Sequence, residues 1–192
     1  MNTESEKIFE NIHQELIDGC KESNKYAQTK IYKLYYKAMY NTALRILNNR
    51  TEAEDIMQDS FLNAFQKINN YSGTGSFGSW LKRIVVNNSI DALGKSKFHL
   101  SLNEIGEIEL DDSNENYFDI INYKVDEIRK MIFKLSDNHR IILSLYLLEG
   151  YDHEEISQIL DISYNTSRTR YSRARKKLLQ LIQTERINES VN

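Results

Sequence analysis

The stretch from Asp152 to Leu178 reads DHEEISQILDISYNTSRTRYSRARKKL. Asp152 and Glu155 stand three residues apart, the spacing of a capping box, in which two side chains close off the free N–H groups of a first helical turn. They open a short helix over 153–160 that carries Ile156, Ile159 and Leu160 on one face. Asp161, Ile162 and Ser163 make a tight turn, and Ser163 is placed to cap a long helix over roughly 164–184. From Ser163 to Leu178 that helix holds Arg168, Arg170, Arg173, Arg175, Lys176 and Lys177 and no acid, a charge of +6 over 16 residues. Solvated helix faces usually mix in acids four residues from their bases, and this one does not. Short helix, tight turn and longer basic helix form the pattern of a helix-turn-helix. Its second helix enters the DNA major groove while flanking cations hold phosphates. The small polar side chains of Ser167 and Thr169, beside Arg168, suit close approach to base edges.

The rest of the chain reads as helices too. Residues 122–135 place Val125, Ile128, Ile132 and Leu135 on one face, and Ser136 or Asp137 caps a helix over 138–149 that stops at Gly150. Near the N-terminus a short helix is expected around 8–18, then a long one over 26–47. The long helix is expected to turn Tyr26, Ile31, Leu34, Tyr35, Ala38, Met39, Leu44 and Leu47 inward. Thr51 with Glu54 reads as a capping box for a helix from 52 to about 69, with Ala53, Ile56, Met57, Phe61, Ala64, Phe65 and Ile68 inward. After a glycine-serine loop over Ser72–Ser79, a helix from about 77 to 93 carries Phe77, Trp80, Leu81, Ile84, Val85 and Ile90, with Gly94 as its closing residue. No segment alternates as a strand does. The 192 residues include no proline and only seven glycines, so the strongest helix breakers are missing or scarce. The fold class is all-α: two small helical domains, 8–95 and 122–184, joined by a linker over 96–121.

Charge follows the same division. The net charge of −3 is the sum of +1 over residues 1–95, −6 over the linker and +2 over 122–192. The acidic total therefore does not argue against DNA binding; it locates where binding can occur. A single cysteine, Cys20, cannot form an intrachain disulfide. No apolar run approaches the roughly 18 residues that span a bilayer. The polar, acidic N-terminus lacks a basic stretch followed by an apolar one. A cytoplasmic protein with no direct membrane insertion is expected.

Chemistry of the enzymatic kind is not visible. His13, His99, His139 and His153 are far apart and read as surface or packing residues, so neither a metal nor a cofactor is expected. Gly73 to Gly78 matches G-x-G-x-x-G, but a helix precedes it where a dinucleotide fold needs a strand. Two other segments stand out. Asp55, Gln58 and Asp59 share one outward face of their helix. Trp80, Lys82, Arg83, Asn87 and Asn88 combine an aromatic, cations and amides, the groups that capture single-stranded bases.

Three segments in order carry a resemblance. Ala53-Glu-Asp-Ile-Met-Gln-Asp-Ser-Phe61 resembles the A-E-D-hydrophobic-hydrophobic-Q-E-x-F motif of sigma-70 class proteins. Phe77, Trp80, Leu81, Ile84, Asn87, Ile90 and Asp91 fall at the spacing of the F-x-x-W-L-x-x-I-A-x-N-x-x-I-D motif that follows it. Leu135 to Leu178 resembles the family's C-terminal pattern. Together they resemble an RNA polymerase sigma factor of the extracytoplasmic-function group, with two helical domains called region 2 and region 4. The resemblance implies that region 2 docks on the polymerase β′ subunit through Asp55, Gln58 and Asp59. It implies −10 recognition and capture of a flipped base by Ser72, Gly73, Thr74, Gly75 and Ser76 of the loop and by Trp80, Lys82, Arg83, Asn87, Asn88 and Asp91. Region 4 would sit on the β subunit and read the −35 element through Ser163, Asn165, Thr166, Arg168, Thr169, Arg170, Arg173, Arg175, Lys176 and Lys177. The acidic linker would thread toward the polymerase channels, and an anti-sigma factor is a candidate further partner. Three positions depart from the pattern. Ser136 replaces a proline, Asp161 a glycine, and Ser167 an apolar residue.

Two other functions compete with this one. A stand-alone helix-turn-helix regulator would be a dimer that binds a palindrome without polymerase. An enzyme acting on nucleic acid would need a metal-binding acid cluster or a nucleophile–base pair.

Overall fold

The computed structural model describes residues 12–94 and 125–191. The expectations for residues 8–11, for His99 and for the linker at 96–121 lie outside the described residues. All regular structure among the described residues is helical. The chain divides into two compact units, one reaching Ala92 and one beginning at Leu93.

The first unit holds α1 (Gln14–Lys21), α2 (Lys25–Leu47), α3 (Arg50–Gln66), a 3-10 turn (Ile68–Asn70) and all but the last residue of α4 (Phe77–Leu93). Helix α1 runs on to Lys21, past the expected end at 18. It lies so close to α2 that a Cβ on Gly19 would come within 2.8 Å of the Ala27 Cβ, so only glycine fits there. Asn24 starts α2 by accepting hydrogen bonds from the Tyr26 and Ala27 backbone N–H groups at 2.9 and 3.2 Å. The inward face of α2 is Ala27, Ile31, Met39, Thr42, Ala43, Ile46 and Leu47. Tyr26, Leu34 and Ala38, expected inside, face solvent instead, with Tyr26 67 % and Leu34 50 % exposed. Small residues, Ala27, Thr42 and Ala43, take the buried positions, because they let the neighbouring helices come close.

The start of α3 also differs from the Thr51 capping box. Asn48 adopts the left-handed conformation (φ 55°) and ends α2, with its N–H bonded to the Leu44 carbonyl at 2.9 Å. The chain is then extended at Asn49, whose side chain accepts from the Thr51 and Glu52 N–H groups at 3.0 and 3.3 Å. Asn49 is thus the cap, and Thr51 lies inside the helix. Helix α3 buries Ala53, Met57, Ser60, Phe61 and Ala64, while α4 buries Phe77, Leu81, Val85, Val86, Ser89 and Ile90. Trp80 and Ile84 are half-buried. Each fully buried Ile, Leu or Phe contributes about 1.5–3 kcal/mol relative to exposure. Cys20 of α1 is in this core, and burial pushes its thiol pKa up to about 11.

The second unit holds α5 (Val125–Phe133), α6 (Asp137–Leu143), a π-helical turn (Ser144–Leu148), α7 (His153–Leu160) and α8 (Tyr164–Val191). Ile132 and Leu135 are buried, whereas Val125 is 60 % exposed. Ser136 occupies the cap position of α6, but its hydroxyl bonds the His139 ring at 3.0 Å instead of a backbone N–H. The expected helix over 138–149 changes character after Leu143. Its backbone widens, so that the Glu149 N–H reaches the Ser144 carbonyl at 2.9 Å. Gly150 ends it at φ +78°, a conformation only glycine adopts without strain; the space around it is open. Ile141, Ile142, Leu143, Leu145, Ile156, Ile159 and Leu160 are buried, as are Ala174, Leu178 and Ile182 of α8, and α8 packs against both α6 and α7. Arg140 is buried among them at 1 % exposure, and it donates to the Asp137 carboxylate at 2.8 Å.

Candidate nucleic-acid interface

In the second unit the capping box forms as expected. The Asp152 side chain accepts from the Glu155 N–H at 2.8 Å, and the Glu155 carboxylate accepts from the Asp152 N–H at 3.0 Å. Asp161 takes the left-handed conformation (φ 52°, ψ 51°) that the turn requires, where the related pattern has glycine. An L side chain there costs about 1–2 kcal/mol, least for Asp and Asn. Ser163 caps α8, with its hydroxyl accepting from the Thr166 N–H at 3.1 Å. The helix-turn-helix is therefore complete: α7, turn, α8.

The buried face of α8 decides which of its residues stay accessible. Ser167, Ala174, Leu178 and Ile182 are buried, at steps of seven, four and four. Asn165, Lys176 and Lys177 are exposed, and Arg168, Thr169, Arg170, Arg173 and Arg175 are half-exposed. Ser163 is exposed and Thr166 half-exposed. Their hydroxyls bond each other at 2.8 Å, and the Thr169 hydroxyl donates to the Asn165 carbonyl at 2.9 Å. Burial lowers the pKa of Arg170, which still stays charged. Ser167 departs from the expected approach to base edges. It is 0 % exposed and bonds the His153 ring at 3.0 Å, so it faces α7 and not base edges. Periodicity explains this, because Ser167 continues the apolar stripe of α8.

In the first unit the loop before α4 is held by its own side chains. The Tyr71 hydroxyl donates to the Gly75 carbonyl at 2.5 Å, and the Ser72 and Thr74 hydroxyls bond at 3.0 Å. Gly73 sits at φ +79° within the loop. Ser76 accepts from the Ser79 N–H at 3.1 Å and so starts α4. Under the loop lies an aromatic box. Phe77 meets Tyr35, Tyr71 and Trp80, each with ring centroids 5.5 Å apart. Burial, and secondarily Tyr71, raise the pKa of the Tyr35 hydroxyl. Asn87 and Asp91 are exposed, and Lys82 and Arg83 half-exposed. Asn88 is partly buried and donates to the Ser60 hydroxyl at 2.9 Å, so it ties α4 to α3. Trp80 sits in the box and is half-exposed.

Asp55, Gln58 and Asp59 of α3 are all exposed on one face, as expected. The sequence did not reveal the open groove of about 660 Å³ beside Gln58, lined by Thr29 and Tyr32 of α2 and by Phe61, Leu62 and Phe65 of α3. Exposed Leu62, 61 % accessible, was the one signal for it. Among the described residues no helix is long and apolar enough to cross a membrane, and no three His, Cys, Asp or Glu side chains gather as metal ligands would.

Fold and charge together define a helical DNA-binding protein of two modules. Family models match both: Sigma-70 region 2 over residues 31–98 and Sigma-70, region 4 over residues 126–178, together more than half of the chain. The chain belongs to the sigma-70 family of RNA polymerase sigma factors, in its extracytoplasmic-function group. It is similar to the ECF RNA polymerase sigma factor SigW of Bacillus subtilis, 29 % identical over 172 residues, which cover 84 % of this chain and 92 % of the relative. It shares its fold with CnrH, solved in complex with the cytosolic domain of CnrY (TM-score 0.54, 20 % identity, 90 % of this chain and 97 % of that one). It shares it also with the sigma factor RpoE of Bartonella quintana, solved with the anti-sigma factor NepR (TM-score 0.53, 21 % identity, 81 % and 96 %).

Proposed function

We propose that this chain binds core RNA polymerase, brings it to promoters through −10 and −35 elements and promotes DNA melting, with no catalytic step of its own. The observation that carries this is the helix-turn-helix with six cations and no acid from Ser163 to Leu178, joined in one chain to a second helical unit with a preformed loop. Residues 8–95 act as region 2, 96–121 as linker and 122–184 as region 4. Region 2 docks on the β′ subunit through Asp55, Gln58 and Asp59. The loop Ser72–Ser76 with Trp80 and Asn87 takes the flipped base, and Lys82, Arg83, Asn88 and Asp91 support it. Opening DNA costs a few kcal/mol per extruded base, so a melting protein needs a capture pocket as well as phosphate contacts. Region 4 sits on the β subunit and reads −35 DNA through the outward face of α8. The solved complex with NepR supports an anti-sigma factor as a further partner. Because its partner is RNA polymerase, the protein works in the cytoplasm.

In vitro transcription with core polymerase and genomic DNA, followed by mapping of start sites, tests the whole reading. Start sites that share no upstream sequence would overturn it. For the parts, Asp55→Ala with Gln58→Ala is expected to weaken core polymerase binding by about 1 kcal/mol or more without unfolding the chain. Unchanged capture of core enzyme would remove these residues from the interface. Arg168→Ala is expected to cost about 1–3 kcal/mol and relax sequence choice at −35. Equal loss on every promoter would make Arg168 a phosphate contact instead.

A further inference from the structure

A hydrogen bond set among aromatic contacts crosses the seam between α7 and α8. Ser167 is 0 % exposed where the related pattern has an apolar residue. A buried hydroxyl without a partner is costly, and here the partner is His153 Nδ1, 3.0 Å away and 14 residues earlier in the chain. His153 is itself held firmly. It is the first residue of α7, directly after the Asp152 cap. Tyr146 stacks on its ring (centroids 4.7 Å apart, planes at 28°), and Tyr171 and Tyr164 meet it edge-on at 5.4 and 6.2 Å. The hydrogen bond thus joins a fixed ring to the residue next to Arg168, in the part of α8 that enters the groove.

We propose that His153, through its bond to Ser167, is a positioning residue that sets how Arg168 is presented to DNA, and that −35 discrimination consequently depends on pH. This rests on the promoter-reading role proposed above. The charged and titratable groups that face the ring are Asp152 from its own cap, Arg168, Tyr164 and Tyr171 from α8, and Tyr146 from the π-helical turn. Burial and then the Arg168 charge lower the His153 pKa, and Asp152 opposes them more weakly. The neutral ring is therefore the one that fits the seam above the usual histidine pKa. As pH falls below it toward the lowered value, the ring takes up a proton. It then carries a positive charge beside Arg168, and repulsion displaces one of the two. The folded-state pKa lies below the unfolded one, so the stabilisation is complete above about 6.5 and lost as pH falls through the lowered pKa.

The test uses holoenzyme assembled from the full chain and core polymerase, on a mapped promoter with its own −35 element or a scrambled one, between pH 7.5 and 5.5. The affinity ratio of the two DNAs is the readout. The wild-type ratio is expected to fall by roughly fivefold across this range, the scale of one base-reading contact. His153→Phe with Ser167→Ala removes both polar groups and keeps the ring packing, and its ratio is expected to stay flat within about twofold. Ser167→Ala alone is expected to lower the ratio already at pH 7.5. A pH profile identical in wild type and the double variant would overturn the proposal, as would an unaltered ratio in Ser167→Ala. A wild-type ratio near one at every pH would overturn the promoter-reading role itself, and this proposal with it.

Discussion

Phe77→Ala is expected to lower the stability of the first unit by about 3–5 kcal/mol, the cost of removing a buried aromatic ring and leaving a cavity. Phe77 is 1 % exposed and central to the box formed with Tyr35, Tyr71 and Trp80. Against a typical domain stability of about 5–15 kcal/mol, this is a large fraction. Trp80 is the only tryptophan, so its fluorescence during urea unfolding of the full chain reports this unit alone. The midpoint is expected to fall with little change in slope. The loop before α4 depends on the same box, because Tyr71 both packs on Phe77 and holds the Gly75 carbonyl. Promoter opening is therefore expected to suffer even where the variant remains folded. A midpoint within error of wild type would show that the box carries no stability.

Arg140→Ala is the second large effect, about 2–5 kcal/mol on the second unit. The Arg140 side chain is 2 % exposed, while its partner Asp137 is 68 % exposed. The Asp137 carboxylate keeps its water when the guanidinium is removed, so the cavity left by a long buried side chain is expected to set the scale of the loss. Arg140→Met keeps most of that volume and is expected to cost markedly less. Hydrogen exchange of the 137–143 segment in the full chain separates the two. If methionine proves as damaging as alanine, the charge and its hydrogen bonds dominate and the packing account fails.

Much of this was legible in the residues. The Asp152–Glu155 box, the turn at Asp161 and the Ser163 cap are local chemistry, and local chemistry is written in short spacings. The outward set Asp55, Gln58 and Asp59 followed from helical period alone. What escaped depended on contacts between distant segments. Helix α2 carries apolar residues all around its surface, so period could not tell that Ala27 and Ala43 would be buried while Tyr26 and Leu34 stay outside. Asn49 won the cap from Thr51 because Asn48 turned left-handed just before it. The π-helical turn after Leu143 has no composition signature within an apolar run. Small and polar beside Arg168, Ser167 has the composition of a base reader. Its place on the buried stripe outweighs both properties once His153 satisfies it.

The burial of Cys20 has a practical consequence for spectroscopy. It is the chain's one cysteine, it is 1 % exposed, and its thiol stays protonated well above neutral pH. Thiol reagents attack the exposed thiolate, so the native chain is close to silent toward maleimide dyes. New cysteines at exposed helical positions, such as Gln66 in the first unit and Gln180 in the second, would take up donor and acceptor fluorophores without removal of the native residue. The separation of the two units, free and on polymerase, then becomes a distance that single molecules report directly.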